Sequence, residues 1–250
     1  MSNRIHRSAP VTVVAATTLA ENEFWEASLL ARSISRIPEE IRPLLQVTFS
    51  NTGPARRGLS AVYNDAITTA GAEDLLVFVH DDVYLNDWFV SQRVREGLAR
   101  FDILGVVGAV NPDPQFPSWA LAFDDELAPI GWQDGLIRSG AISRFDYAHP
   151  EVFVYGDLPL EVALLDGLLL AASAQTLRQH SVQFDDQFEF HMYDIDFCRT
   201  AVRAGLRVGT WPIALTHNSA GNFDSAGFRS AARIYLAKWL PGSQQIPSPT

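Results

Sequence analysis

The 250-residue chain has one cysteine, Cys198, and one lysine, Lys238. A lone thiol excludes an intrachain disulfide and suits a reducing compartment. No phosphate-loop motif ends on the lone lysine, and Schiff-base chemistry would fall on it alone. Its place in a late amphipathic stretch predicts a solvated surface charge instead. No apolar run reaches the ~18 residues of a membrane span. Nineteen basic residues stand against 29 acidic ones, a net charge of −10, so no overall field favours nucleic acid. The expectation is a cytoplasmic protein that neither spans a membrane nor binds nucleic acid.

What the chain has is apolar and aromatic bulk, 47% and 11% of residues. A chain of this size can bury roughly 70% of its unfolded surface, enough for a large core without staples. Charge is unevenly spread. Residues 111–166 carry ten acids and two bases, and residues 199–238 carry six bases and one acid. Two solvated faces explain this; so do an anionic ligand at the basic end and a metal among the carboxylates. Arg4, Arg7 and the apolar run 9–20 have the outline of a short signal peptide. The β-branched Val11-Thr12-Val13-Val14, followed at once by a helical pattern, favours an opening strand.

Strand and helix patterns alternate through the first hundred residues. Strands are predicted over 11–16, 45–49, 75–79 and 103–110, and helices over 21–37, 59–70 and 87–101. This order predicts an α/β fold, a mostly parallel central sheet flanked by helices, with ligands at the carboxyl ends of its strands. Residues 111–150, rich in Pro, Gly, Trp and Asp, form an irregular region of loops and short hairpins. Strands follow over 152–155, 162–171 and 207–216, and helices over 174–180, 194–204 and 225–239. Residues 1–242 are expected to form one domain, with a ligand-binding half at 9–110 and a catalytic half at 111–242. A polar tail, 243–250, is expected to be disordered.

Three segments carry chemistry. The buried strand Val77-Phe78-Val79 ends in His80-Asp81-Asp82, which sets carboxylates at the crevice mouth, where hard divalent ions bind. Asp is equally common in turns after strands. Asp194 and Asp196, two apart on a helix, point to different faces. One can serve as a general base while the other holds the helix, or both can favour the helix start, with Asp196 pairing to Arg199 or Arg203. His217, in Thr216-His217-Asn218-Ser219, is a surface imidazole or a further metal ligand that favours Mn²⁺ over Mg²⁺.

The ordered set of segments resembles GT-A-fold glycosyltransferases of the family 2-like kind. Its parts are Asp166-Gly167-Leu168-Leu169, Phe184-Asp185, Tyr193-Asp194-Ile195-Asp196-Phe197-Cys198, Ala204-Gly205-Leu206-Arg207-Val208 and His217-Asn218-Ser219-Ala220-Gly221. Upstream, Ala61-Val62-Tyr63-Asn64-Asp65-Ala66-Ile67 matches the helix before the acidic motif. The resemblance spans about residues 10–222. It implies an inverting, metal-assisted transfer of a sugar from a UDP- or GDP-linked donor to a saccharide or other hydroxyl acceptor. By position, Asp82 and His217 would hold Mn²⁺ or Mg²⁺, and Asp194 would be the catalytic base. Asn51, Thr52, Asn64, His80, Asp81 and Asp82 would contact the nucleotide. Asp166, His191 and Trp119 fall on the acceptor side, with Trp132 and Tyr155 as further platform candidates.

The chain departs from the family at His80, which stands for the first acid of the motif, and at Tyr63, which stands for a commoner Arg. These departures are the only support for one alternative, a catalytically silent carbohydrate- or nucleotide-binding relative. A sugar nucleotidyltransferase is the other alternative. It normally needs a Gly-rich basic loop after the first strand, and Ala15-Ala16-Thr17-Thr18-Leu19-Ala20 has neither glycine nor base.

Overall fold

A computed structural model describes residues 9–144, 149, 151–219 and 221–240. Arg4, Arg7, Ala220 and the tail 243–250 lie outside the described residues. The first part of the chain runs β1 (Val11–Ala16), α1 (Glu21–Ala27), α2 (Leu29–Ser35), β2 (Leu44–Thr48), α3 (Leu59–Thr69), β3 (Leu75–Val79), β4 (Val83–Leu85) and α4 (Val90–Leu98). Short strands follow: β5 (Ile103–Gly105), β6 (Val107–Ala109), β7 (Leu121–Phe123), β8 (Pro129–Trp132), β9 (Arg138–Arg144) and β10 (Glu151–Gly156). The chain closes with β11 (Leu164–Leu165), β12 (Leu169–Ser173), α5 (Ala174–Gln179), α6 (Tyr193–Arg203), β13 (Val208–Thr210), β14 (Leu215–His217) and α7 (Ala226–Trp239). Among the described residues no helix is long and apolar enough to cross a membrane.

The main sheet has the order β13-β5-β12-β3-β1-β2. Only β12 runs against the other five strands, so the sheet is mostly parallel, as expected. β3 lies centrally and is buried at every position, which suits an all-apolar Leu-Leu-Val-Phe-Val strand. A second sheet, not foreseen, has the order β11-β6-β9-β14-β4, with β10 on β9. It forms because three apolar runs expected to be single strands each break and change sheets. Residues 103–110 divide into β5 and β6, 162–171 into β11 and β12, and 207–216 into β13 and β14. The breaks fall at Val106, at Asp166–Leu168 and at the segment holding Pro212.

The helix expected over 21–37 is also broken, at Ser28, whose backbone is extended. Ser28 Oγ accepts from Ala31 N–H, capping α2, and donates to the Asp81 carbonyl at 2.8 Å. The break therefore ties the two helices to the turn after β3. One apolar core joins elements from β1 to α7. The run Val11–Ala16 is a strand between β2 and β3, as the β-branched pattern implied.

Candidate functional site

The turn His80-Asp81-Asp82 carries the chain from β3 in one sheet to β4 in the other. β4 pairs antiparallel with β14, setting Val83 opposite His217, and Asn218 N–H donates to the Asp82 carbonyl. This register brings two residues 135 apart in sequence side by side, with His217 Nε2 3.4 Å from Asp82 Oδ1. Both atoms are buried and have no hydrogen-bond partner. His80 Nδ1 lies 4.0 Å from the same Asp82 oxygen. Ligand atoms of His80, Asp82 and His217 all fall within 4.8 Å of one another. Two imidazoles and a carboxylate so arranged fit a divalent transition ion, and a buried, partnerless oxygen and nitrogen mark where it would bind.

Burial lowers the proton affinity of His80 and so favours its neutral, ligating form. Burial alone would raise the Asp82 pKa; the close approach of His217, and then of His80, holds it below the ordinary carboxylate range.

The same cavity, about 200 Å³, is also lined by Asp166, Asp194, His191 and Trp119. Asp166 sits in the break between β11 and β12, where its Oδ1 accepts from Leu168 N–H and its Oδ2 from Trp119 Nε1–H at 2.9 Å. Asp194 opens α6. Met192 before it takes a left-handed φ of 68°, a turn that leads the helix start to the cavity wall. Asp194 Oδ2 accepts from Gly167 N–H at 2.8 Å. Its pKa is pushed up to about 7, first by burial and then by the charge of Asp166, against the pull of backbone N–H groups. A carboxyl poised there can take a proton at neutral pH. His191 contacts Ser225 and the Phe228 ring.

The cavity is lined by three carboxylates and three imidazoles, with no Lys or Arg among the described lining residues. None of the Arg residues between 199 and 238, nor Lys238, lines it. Arg199 and Arg203 lie over Trp239, Arg207 pairs with Glu161, and Arg229 pairs with Asp224. Lys238, expected to be a solvated charge, binds both Asp185 and Asp196. Asp196 is fully buried and pairs with Lys238 and Trp239 Nε1–H, where the sequence pointed to Arg199 or Arg203.

Asn51, Thr52, Asn64 and Asp81 do not line this cavity. Asn51 binds the backbone of Arg57 through both amide atoms and its own N–H donates to the Thr17 carbonyl. Thr52 is exposed beside it. Asp81 lies next to Thr17, so these residues adjoin at the carboxyl ends of β1, β2 and β3. Asn64 is a strut: its amide binds the backbone of Phe184 in both directions and the Asp186 carboxylate. Tyr63, in the place of the commoner Arg, is buried among Phe78, Phe184 and Tyr193. The sequence reading missed Tyr193 as a site residue, although Tyr next to the expected base, after a Gly on another segment, was a visible signal. Trp132 and Tyr155 pack on one another, and Tyr155 on Trp119, outside the cavity lining.

A mostly parallel sheet, a second mixed sheet and a site at the strand ends define a GT-A-like fold. The solved structure of GalNAc-T7 with UDP, GalNAc and Mn²⁺ is similar to this chain, with a TM-score of 0.53 and 11% identity. That match covers 92% of this chain and 48% of the other, so the chain spans about half the length of that protein. The S. aureus TarS 1–349 structure with UDP matches at a TM-score of 0.45 and 11% identity, covering 92% of this chain and 70% of that one. The catalytic domain of Drosophila β1,4-galactosyltransferase 7 with xylobiose matches at 0.41 and 10% identity, over 81% and 64% of the two chains. No family model and no curated protein matches the sequence. At these identities the likeness is one of fold.

Proposed function

We propose that the protein transfers a sugar from a nucleotide-diphosphate donor, UDP- or GDP-linked, to a hydroxyl of a saccharide or other acceptor, with inversion at the anomeric carbon. The observation that carries this reading is the buried, partnerless pair Asp82 Oδ1 and His217 Nε2, 3.4 Å apart in the cavity that Asp194 also lines. Asp82 and His217, with His80 beside them, would hold Mn²⁺ or Mg²⁺. Bound there, such an ion would supply positive charge to offset what grows on the departing diphosphate.

The chain's own groups do the rest. Asp194, ionised above about pH 7, takes the proton of the acceptor hydroxyl. Gly167 N–H fixes one of its oxygens, and the carboxylate keeps lone pairs for the acceptor. Asp166, locked by Trp119 and Leu168, supplies the neighbouring charge that raises the proton affinity of Asp194. His191 and Trp119 contribute to the acceptor wall. Asn51, Thr52 and Asp81 offer polar contacts to the nucleoside at the strand ends. A base on the far side of the sugar from the leaving group gives one displacement with inversion.

Calorimetric titration with UDP and GDP, with and without Mn²⁺, tests the reading. Binding is expected only with the ion, and Asp82→Ala is expected to abolish it. Nucleotide binding indifferent to both the ion and this substitution would overturn the proposal.

A further inference from the structure

Resting on the metal site proposed above, we infer that Tyr193 is a positioning residue that locks the His80 tautomer and so makes His80 Nδ1 a third ligand of the ion. Tyr193 Oη lies 2.8 Å from the Gly167 carbonyl oxygen and 2.8 Å from His80 Nε2. A carbonyl only accepts, so the phenolic proton belongs to Gly167. The oxygen must then accept from His80, and Nε2 carries the imidazole proton. A neutral imidazole has one N–H, which leaves Nδ1 a bare lone pair.

That lone pair lies 4.0 Å from Asp82 Oδ1, itself an acceptor, which lies 3.4 Å from His217 Nε2. The Nδ1 lone pair and Asp82 Oδ1, both acceptors, repel one another, and a cation between them removes the conflict. Fixing a ligating histidine by a hydrogen bond at its other nitrogen is how protein metal sites set ring orientation and basicity.

The lock is rigidly held. The Tyr193 ring packs on Tyr63 and Phe184, with centroids 5.9 Å away in each case. Residue 167 must be glycine, because a Cβ there would meet Tyr193 Oη at 2.4 Å. Gly167 also donates its N–H to Asp194, so one peptide segment ties the metal ligand set to the base. The departure at His80 thus adds a nitrogen ligand. Two imidazoles and one carboxylate rank Co²⁺ and Zn²⁺ above Mn²⁺, and Mn²⁺ above Mg²⁺.

Two readouts on the full chain test this without measuring turnover. Long-range ¹⁵N–¹H correlation on the metal-free protein at pH 8, assigned with His80→Gln, should show His80 protonated at Nε2; Tyr193→Phe should give a tautomer mixture. Mn²⁺ affinity, read by electron paramagnetic resonance of the free ion, should fall about 10- to 100-fold in Tyr193→Phe and in His80→Gln. Asp82→Ala should abolish Mn²⁺ binding. Unchanged affinity in Asp82→Ala removes the metal site, and with it the reading beneath. Loss in Asp82→Ala with both other variants within threefold of the parent overturns only the role of His80 and Tyr193. A wild-type His80 protonated at Nδ1 overturns that role as well.

Discussion

The two sides of helix α6 treat a carboxylate in opposite ways. On the side facing α7, Asp196 is fully buried and matched by Lys238 Nζ at 2.8 Å and Trp239 Nε1 at 2.7 Å. On the cavity side, Asp194 has backbone N–H groups and another carboxylate, Asp166, for company. Burial pushes both carboxyls up. For Asp196 the cation and indole oppose that push and outweigh the like charge of Asp185, whereas for Asp194 the like charge of Asp166 adds to it. Burial alone does not separate a structural carboxylate from a reactive one. The sign of the neighbouring charge does.

The largest effect should come from unbalancing the structural side. Lys238→Met leaves Asp196 buried without its cation and is expected to cost about 2–4 kcal/mol in chemical denaturation. Mn²⁺ affinity at a temperature where the variant is folded should stay within about twofold, on the scale of distant independent sites. Asp194→Asn should do the reverse, keeping donor binding while turnover drops by at least ~10²-fold.

That variant also has a signature in stability. In the folded protein Asp194 ionises near 7, against an ordinary 3.8. The folded state therefore holds the proton more tightly than the unfolded one. The group's contribution is fully present below ~pH 4 and is lost as pH rises through about 7. The Tm of Asp194→Asn relative to wild type should climb across that window and then level off, as differential scanning fluorimetry would show. The smallest effect tests the like charge. Turnover should rise as pH passes about 7, and Asp166→Asn should move that midpoint down by roughly one unit. An unmoved midpoint would leave burial as the sole cause.

The elements were legible where one period dominated. β1, β3, α3 and α6 fall within a residue of their expected bounds, because alternation, an all-apolar run or a helical stripe each leaves a distinct mark. The changes of sheet were not legible. An apolar run buried throughout reads alike whether it stays in one sheet or crosses at Val106 or at Asp166–Leu168. Those crossings gather the site: His80–Asp82, Asp166 and Gly167 lie where the chain passes between sheets, and His217 ends a strand of the second sheet. The residue types allowed Asp82 and His217 to share a metal, but only the resemblance paired them by position, since the physical cause of their meeting is the Val83–His217 register. The partners of Lys238 and the strut at Asn64 depend on distant segments, Asp185 and Phe184, that no local pattern announces.

A cavity ringed by acids and imidazoles, with no Lys or Arg among its described lining residues, bears on when the proposed transfer could run. By itself such a hollow repels polyanions, so its hold on a phosphorylated ligand would track the free divalent ion in the surrounding solution. A chelator would then release nucleotide as surely as a mutation. Ionic conditions would act as a throttle from outside the chain.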